Sequence, residues 1–302
     1  MNSKRKVYLL PLNSCFGCGL ALVLMCATMR GASVVSFHTF KAAPATTLSG
    51  QGTDDPLVGS TTASASNAFV LGYLSSPVSL VNVGDQITFT FDVDFNDAAG
   101  LVNANDNFRF ALFDLNGEMQ VAADNTATAG TDDTDDFRGY IFGVKTGTGS
   151  GSIRERIAML ASGDNAFSTA APNTVTAPVV GAGTVGGDPV ILASSVNGNG
   201  AGPLYSGQMT LTLTASGVDL SGSFIGSNSP TGNLFAASDT TAPFPTTFGA
   251  VGFLIGNGLS VDQAQFRNVD VTFVPVPEPA SLSLFGIASL LFIGRRRRLG
   301  KV

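Results

Sequence analysis

Between Gln86 and Asn96 apolar and polar residues alternate without a break. Ile87, Phe89, Phe91, Val93 and Phe95 point one way, and Thr88, Thr90, Asp92, Asp94 and Asn96 point the other. A period of two is the mark of a β-strand with one face in a core and one in water. Val83-Gly84-Asp85 supplies a turn before it. The same rhythm returns at Phe108, Phe110 and Leu112, ahead of an Asn116-Gly117 turn signal, and at Tyr140, Phe142 and Val144, after the polar run Thr131 to Asp136. Met209, Leu211 and Leu213 alternate with threonines, Ser216-Gly217 turns the chain, and Val218, Leu220 and Phe224 return as the second arm of a hairpin. Val251, Phe253 and Ile255 precede an Asn257-Gly258 turn, and Val269, Val271 and Phe273 point inward in a last strand, Asn268 to Val274. Only Ile153 to Ala161 offers a helical alternative, and it is short enough to be strand. Ala122 to Asp136 and Ala170 to Gly202 read as loops, with Val190 to Leu192 alone strand-like. Short strands, Thr-rich outer faces and Gly/Asn turns predict an all-β antiparallel β-sandwich.

Both ends of the chain break this rhythm. Lys4, Arg5 and Lys6 form a basic start, an apolar segment runs from Cys15 to Ala27, and small residues follow at Gly31, Ala32 and Ser33. That is the layout of a signal peptide, expected as a helix and cut after Ser33 or Ser36. At the far end Val274-Pro-Val-Pro-Glu-Pro279 leads into an uncharged apolar run, Ala280 to Ile293, and four arginines, Arg295, Arg296, Arg297 and Arg298. Prolines at 275, 277 and 279 hold the lead-in extended. The run is apolar on every face, unlike a core helix with its single stripe. Its fourteen residues rise about 21 Å as a helix, short of the ~30 Å hydrocarbon core. Arginine side chains make up part of that length by snorkelling. Their charge makes Arg295, Arg296, Arg297 and Arg298 the expected cytoplasmic stop. A C-terminal transmembrane helix is therefore expected.

With Pro277, Glu278 and Pro279, the apolar segment and the arginine cluster in fixed order, this tail resembles the PEP-CTERM sorting signal. The resemblance implies an exosortase that reads the three-residue motif, removes the helix and leaves the carrier at the cell surface or outside the cell. It also implies bacteria that make exopolysaccharide or biofilm. The strand order resembles the concanavalin-like, LamG-like jelly rolls common in such proteins, through the Val83-Gly84-Asp85 lead-in, the Thr210 to Phe224 hairpin and the closing Phe266 to Phe273. The expected organisation is a signal peptide (residues 1–33), a jelly-roll sandwich (34–274) and a sorting signal (275–302).

Composition sharpens this picture. All three cysteines, Cys15, Cys18 and Cys26, lie in the leader, so the body has no disulfide or thiolate and must fold on burial alone. Nine of the sixteen basic residues lie at the termini, which leaves seven against twenty-two acids, a formal charge near −15 for the exported part. Such a surface excludes nucleic acid, whose phosphates need Lys and Arg.

The chemistry on offer is sparse. His38 is the one histidine and stands near the expected cut, so a Ser-His-Asp triad or a zinc site is not expected. Glu118 and Glu155 are the only glutamates before the tail and lie in different segments, with surface solvation the simpler account of each. The hard oxygen ligands Asp92, Asp94, Asn96 and Asp97 form the candidate calcium site. Against it, Asp97 stands where an EF-hand loop needs Gly, and Asn103 where it needs Glu. The run Asp132 to Asp136 reads as a solvated loop. Without Trp, a sugar-stacking ring would have to come from Tyr73, Tyr140 or Tyr205.

The expectation is an exported, non-enzymatic protein. Signal peptidase and an exosortase process it, it is held transiently in the inner membrane, and it then becomes a structural part of the cell surface or extracellular matrix. The alternative is a carbohydrate-binding module, calcium-assisted, that engages extracellular polysaccharide.

Overall fold

The alternating stretch from Gln86 to Asn96 forms a strand with the expected bounds, and all five inward residues are at most 2% exposed. It is β6 of fifteen: β1 (Arg30–Ala32), β2 (Val34–Phe40), β3 (Thr46–Ser49), β4 (Leu57–Ser60), β5 (Ala68–Ser79), β6 (Gln86–Asn96), β7 (Phe108–Asp114), β8 (Arg138–Gly143), β9 (Ser152–Arg156), β10 (Thr184–Gly187), β11 (Tyr205–Leu213), β12 (Val218–Gly226), β13 (Ser229–Asp239), β14 (Thr247–Ile255) and β15 (Gln263–Val274). The computed structural model describes residues 30–32, 34–40, 46–50, 53, 55–60, 68–96, 108–118, 120, 137–146, 151–156, 167, 184–188, 190, 192, 203–240, 242–256, 259 and 261–276. The expected signal helix up to residue 29 and the helix from 280 to 293 lie outside them. Among the described residues no helix is long and apolar enough to cross a membrane.

The strands form two antiparallel sheets, so the all-β sandwich is the fold. One sheet runs β10-β13-β12-β11-β6-β15-β4-β3, with β1 paired to the far end of β15, and has nine strands. The other runs β2-β5-β14-β7-β8-β9. Their inner faces meet in an aromatic core. Phe91 of β6 lies 5.1 Å from Phe110 of β7 and 4.7 Å from Phe253 of β14, both edge-on. Phe253 stacks on Phe266 of β15 at 4.1 Å, and Phe235 of β13 stacks on Phe142 of β8 at 4.6 Å. Ring pairs at these spacings add to the large area each ring buries. Gly207 of β11 is the small residue that makes room, because a Cβ there would run into the Phe91 ring.

The hairpin is as expected: β11 and β12 pair from Tyr205↔Gly226 to Leu213↔Val218, closed around Ser216-Gly217. Several expectations need correcting. Of the two readings left open at Ile153, the segment takes the strand: β9 pairs with β8 along the sheet edge. Val190 and Leu192 are buried but in no strand, and the strand of that region is β10, six residues earlier at Thr184. The last strand starts at Gln263 rather than Asn268, since a bulge between Arg267 and Asp270 hides its continuity. His38, near the expected cut, lies in β2, opposite Leu71. β1 lies before the expected cut after Ser33 and pairs Arg30 with Phe273.

β5 and β13 have no counterpart in the pattern. In β5, Val70, Leu71, Tyr73 and Leu74 are all buried, on both faces. A second cluster accounts for this. Leu71, Tyr73, Ala111, Phe113, Phe137, Ile141, Phe167, Ala250 and Leu254 cover the outer side of the six-stranded sheet. Phe113 meets Phe167 edge-on at 5.2 Å, and Arg109 Nη1 donates to the Phe167 carbonyl at 3.2 Å. A sheet covered on both faces is read in sequence as apolar runs rather than alternation.

Candidate functional site

Three places in the fold gather polar chemistry. The first is the outer face of the nine-stranded sheet, where β6, β11 and β15 run side by side. The face is a lattice of small polar side chains: Thr88 and Thr210 hydroxyls lie 3.3 Å apart, Gln86 Nε2 donates to Thr212 at 3.2 Å, and Ser238 donates to Asp219 at 2.6 Å. Asp92 and Asp94, two of the candidate calcium ligands, lie here. Asp92 accepts from Ser206 Oγ at 2.5 Å and from Asn268 Nδ2 at 2.7 Å. Asp94 is paired with the Arg267 guanidinium at 2.7 Å. Asn268 takes φ 52 at the bulge, a conformation Asn tolerates better than most residues, and so reaches Asp92. Asn96 ends the strand, and Asp97 lies outside the described residues. A cation at Asp94 would have to displace the guanidinium. Among the described residues no three His, Cys, Asp or Glu come together as a metal site.

The second place is inside the sandwich and was missed in the sequence. Tyr140 of β8 donates its hydroxyl to Asp239 Oδ2, at the end of β13, at 2.8 Å. Glu155 of β9 stands opposite Tyr140 and is 2% exposed. Burial first, then the Asp239 charge, pushes the Glu155 carboxyl up to about 7, with Arg138 pulling the other way. Burial and the same two carboxylates raise the Tyr140 hydroxyl and keep it protonated. The surface assignment of Glu155 is therefore corrected. The signal was present: in Ile153-Arg154-Glu155, the alternation puts Glu155 on the side of Ile153, which is buried. Glu118 is elsewhere, in the turn closed by its own N–H to the Leu115 carbonyl at 2.9 Å. Glu155 and Asp239 are both buried from solvent.

The third place is where the chain leaves the body. Asp85, 1% exposed, ends the β5–β6 turn. Its Oδ2 accepts from the N–H groups of Val81 (2.8 Å) and Asn82 (2.7 Å), and its Oδ1 accepts from Val276 N–H at 2.8 Å. Burial alone would raise its pKa, but the three backbone N–H groups outweigh it and hold the carboxyl below its ordinary value. The expected sorting motif, Pro277, Glu278 and Pro279, lies outside the described residues. So does the expected cytoplasmic stop, Arg295, Arg296, Arg297 and Arg298. Tyr73, Tyr140 and Tyr205 are all fully buried, so none presents a ring to a sugar.

Residues 275–298 match the PEP-CTERM protein-sorting motif. The chain therefore carries the signal of an exported protein that an exosortase sorts. The match takes in Pro277, Glu278 and Pro279 and runs through Arg295, Arg296 and Arg297 to Arg298. No curated protein matches its sequence. Among solved structures, peanut lectin with a bound nine-residue peptide is similar at 12% identity and TM-score 0.42, covering 83% of this chain and 100% of the lectin. The Lotus tetragonolobus seed lectin follows at 10% identity and TM-score 0.41, with 83% and 100% covered. The metal-free lectin I-B4 of Griffonia simplicifolia stands at 13% and 0.39, with 79% and 91% covered. At such TM-scores the likeness carries no functional conclusion.

Proposed function

We propose that the exported sandwich is a non-enzymatic structural or adhesive component of the bacterial cell surface or extracellular matrix, delivered by its tail. The observation behind this reading is the sorting motif at 275–298, directly continuous with β15. An acidic exterior and a wet face of Thr, Ser and Gln suit a soluble element that packs among hydrated polymers. Carbohydrate binding is the other reading of the sequence, and the three tyrosines that were its candidate stacking rings are buried. No resident metal belongs to the proposal, because Asp92 and Asp94 are engaged by Ser206, Asn268 and Arg267.

The test is fractionation of cells that express the full chain beside an exosortase, with mass spectrometry of the surface and medium. The body is expected there without any peptide from Leu282 to Ile293, and Glu278→Ala is expected to retain the uncut chain in the membrane. Recovery of the apolar run on the surface form would leave only a tail anchor. Glycan-array binding by the released body, or a saturable calcium-dependent rise in Tm lost in Asp92→Asn, would favour the carbohydrate-binding reading. Both are expected to be flat.

A further inference from the structure

β15 ends at Val274, opposite Gln86. Yet Val276 is held. Its N–H is bound by the buried Asp85 carboxylate, which also gathers the N–H groups of Val81 and Asn82. That loop is itself tied to the β11–β12 hairpin: Gly84 N–H donates to the Leu213 carbonyl at 2.7 Å, and Leu213 N–H donates to the Asp85 carbonyl at 3.0 Å. Gly84, at φ +97, has no Cβ, and one placed there would come within 2.7 Å of Val276 Cγ2. The loop and the outgoing chain are fitted to one another.

The next residue is Pro277, the first of the sorting motif, and the apolar run begins at Ala280. Four residues, fully extended, span at most about 14 Å. Between a pinned Val276 and the bilayer there is thus the motif and nothing else. The surroundings of the exit agree with a face brought close to a membrane. Val81 and Val276, both bonded to the Asp85 carboxylate through their N–H groups, are 73% and 38% exposed, and Val83 of the same turn is 60% exposed.

We infer that Asp85 is a positioning residue for tail processing. It fixes the point at which Pro277-Glu278-Pro279 leaves the body and keeps the chain upstream of Pro277 out of the exosortase. An enzyme that cuts a peptide needs an extended stretch free of other bonds, and residues held by the fold are reached only by local opening. A short tether with a fixed origin also lowers the ordering that binding must supply. This inference rests on the exosortase reading of the tail.

The test uses the full chain in a host with an exosortase, followed by pulse-chase and intact-mass measurement of the released body. Val276→Pro removes the one N–H that Asp85 Oδ1 accepts and leaves the bonds to Val81 and Asn82 in place. Its released body is expected to melt as the wild type does, while release slows severalfold and product ends appear upstream of Pro277. The wild type is expected to give one end, at or after Pro277. Asp85→Ala, which frees the tail by the other partner, is expected to show the same spread of ends. Release of both variants at the wild-type rate and with the wild-type end overturns the inference. Glu278→Ala separates the two levels. If it is blocked while Val276→Pro behaves as wild type, only the clamp is wrong, and if it is released normally the sorting reading falls with it.

Discussion

The two sheets of this sandwich share one core but differ on their outer sides, and the difference shows where sequence pattern informs and where it misleads. The nine-stranded sheet turns one face to water. Its strands β6, β11 and β12 alternate apolar and polar residues, and their inward and outward sides match the observed burial except at Asp94 and Thr210, outward residues that are themselves buried. The six-stranded sheet is covered twice, by the shared core and by the smaller cluster around Phe113, Phe137 and Phe167. Its central strand β14 is buried at eight consecutive positions, Phe248 to Ile255, so nothing in its local pattern marks inside from outside.

The largest expected effect tests that contrast directly. Leu71→Lys places a charge in the outer cluster of the six-stranded sheet, where Leu71 is fully buried. It is expected to remove about 4 kcal/mol or more and leave little folded protein at 37 °C. Ser221→Lys, on the exposed outer face of β12, is expected to change stability by no more than about 0.5 kcal/mol. Urea unfolding followed by circular dichroism compares the two, and equal losses would erase the distinction between the faces.

A cavity series sharpens it. Phe91→Ala empties the shared core, where six phenylalanine rings surround the side chain. Phe113→Ala empties the smaller cluster, which has Phe137 and Phe167 to fall inward. Both belong in the range of about 3–5 kcal/mol, with Phe91 at the upper end and Phe113 at the lower, because the cost depends on how well the site collapses. A larger loss at Phe113 would make the outer cluster the true centre of the fold.

The shared core also holds the titrating group. The Glu155 carboxyl is raised from its ordinary 4.5 to about 7 in the folded protein. Between these values the unfolded chain has lost the proton and the folded one retains it. Stability therefore falls as pH rises from about 4.5 to about 7, and levels off above. The full shift corresponds to about 3 kcal/mol, at 1.36 kcal/mol per pKa unit. Glu155→Gln is expected to be flat across that window and more stable than the wild type at pH 8. Denaturant midpoints at pH 5 and pH 8 decide it, and an unchanged slope in the variant would assign the titration elsewhere.

The smallest effect lies on the wet face. Arg267→Gln breaks the ion pair to Asp94 on a residue that keeps 38% of its side chain exposed. Its loss is expected to stay below about 1 kcal/mol and to shrink further in salt. A larger loss would mean that the β15 bulge depends on this pair.

What could be read in the chain follows from the same contrast. β6 and the β11–β12 hairpin were legible because water on one side forces polar residues into every second position. β5 and β13 were not. β5 is apolar on both sides, and β13 carries Pro230 and Gly232 beside a bulge opposite Phe224 and Gly226. Of the polar sites, Asp92 and Asp94 were visible as an alternating pair, but their partners Arg267 and Asn268 lie more than 170 positions away. Asp85 was visible only as part of a turn, because its third hydrogen bond goes to Val276, 191 positions on.

By itself the sequence determined the route: a motif read by an enzyme must be local in the chain, so Pro277, Glu278 and Pro279, the apolar run and the arginines are recognisable in the linear sequence. It also determined the fold class, since one-sided burial writes itself into alternation. Only the tertiary structure decided which acids face inward, which are matched by a distant cation or amide, and where the tail is held. Those outcomes depend on which strands lie side by side, and strand neighbours are set by packing between residues far apart in the chain.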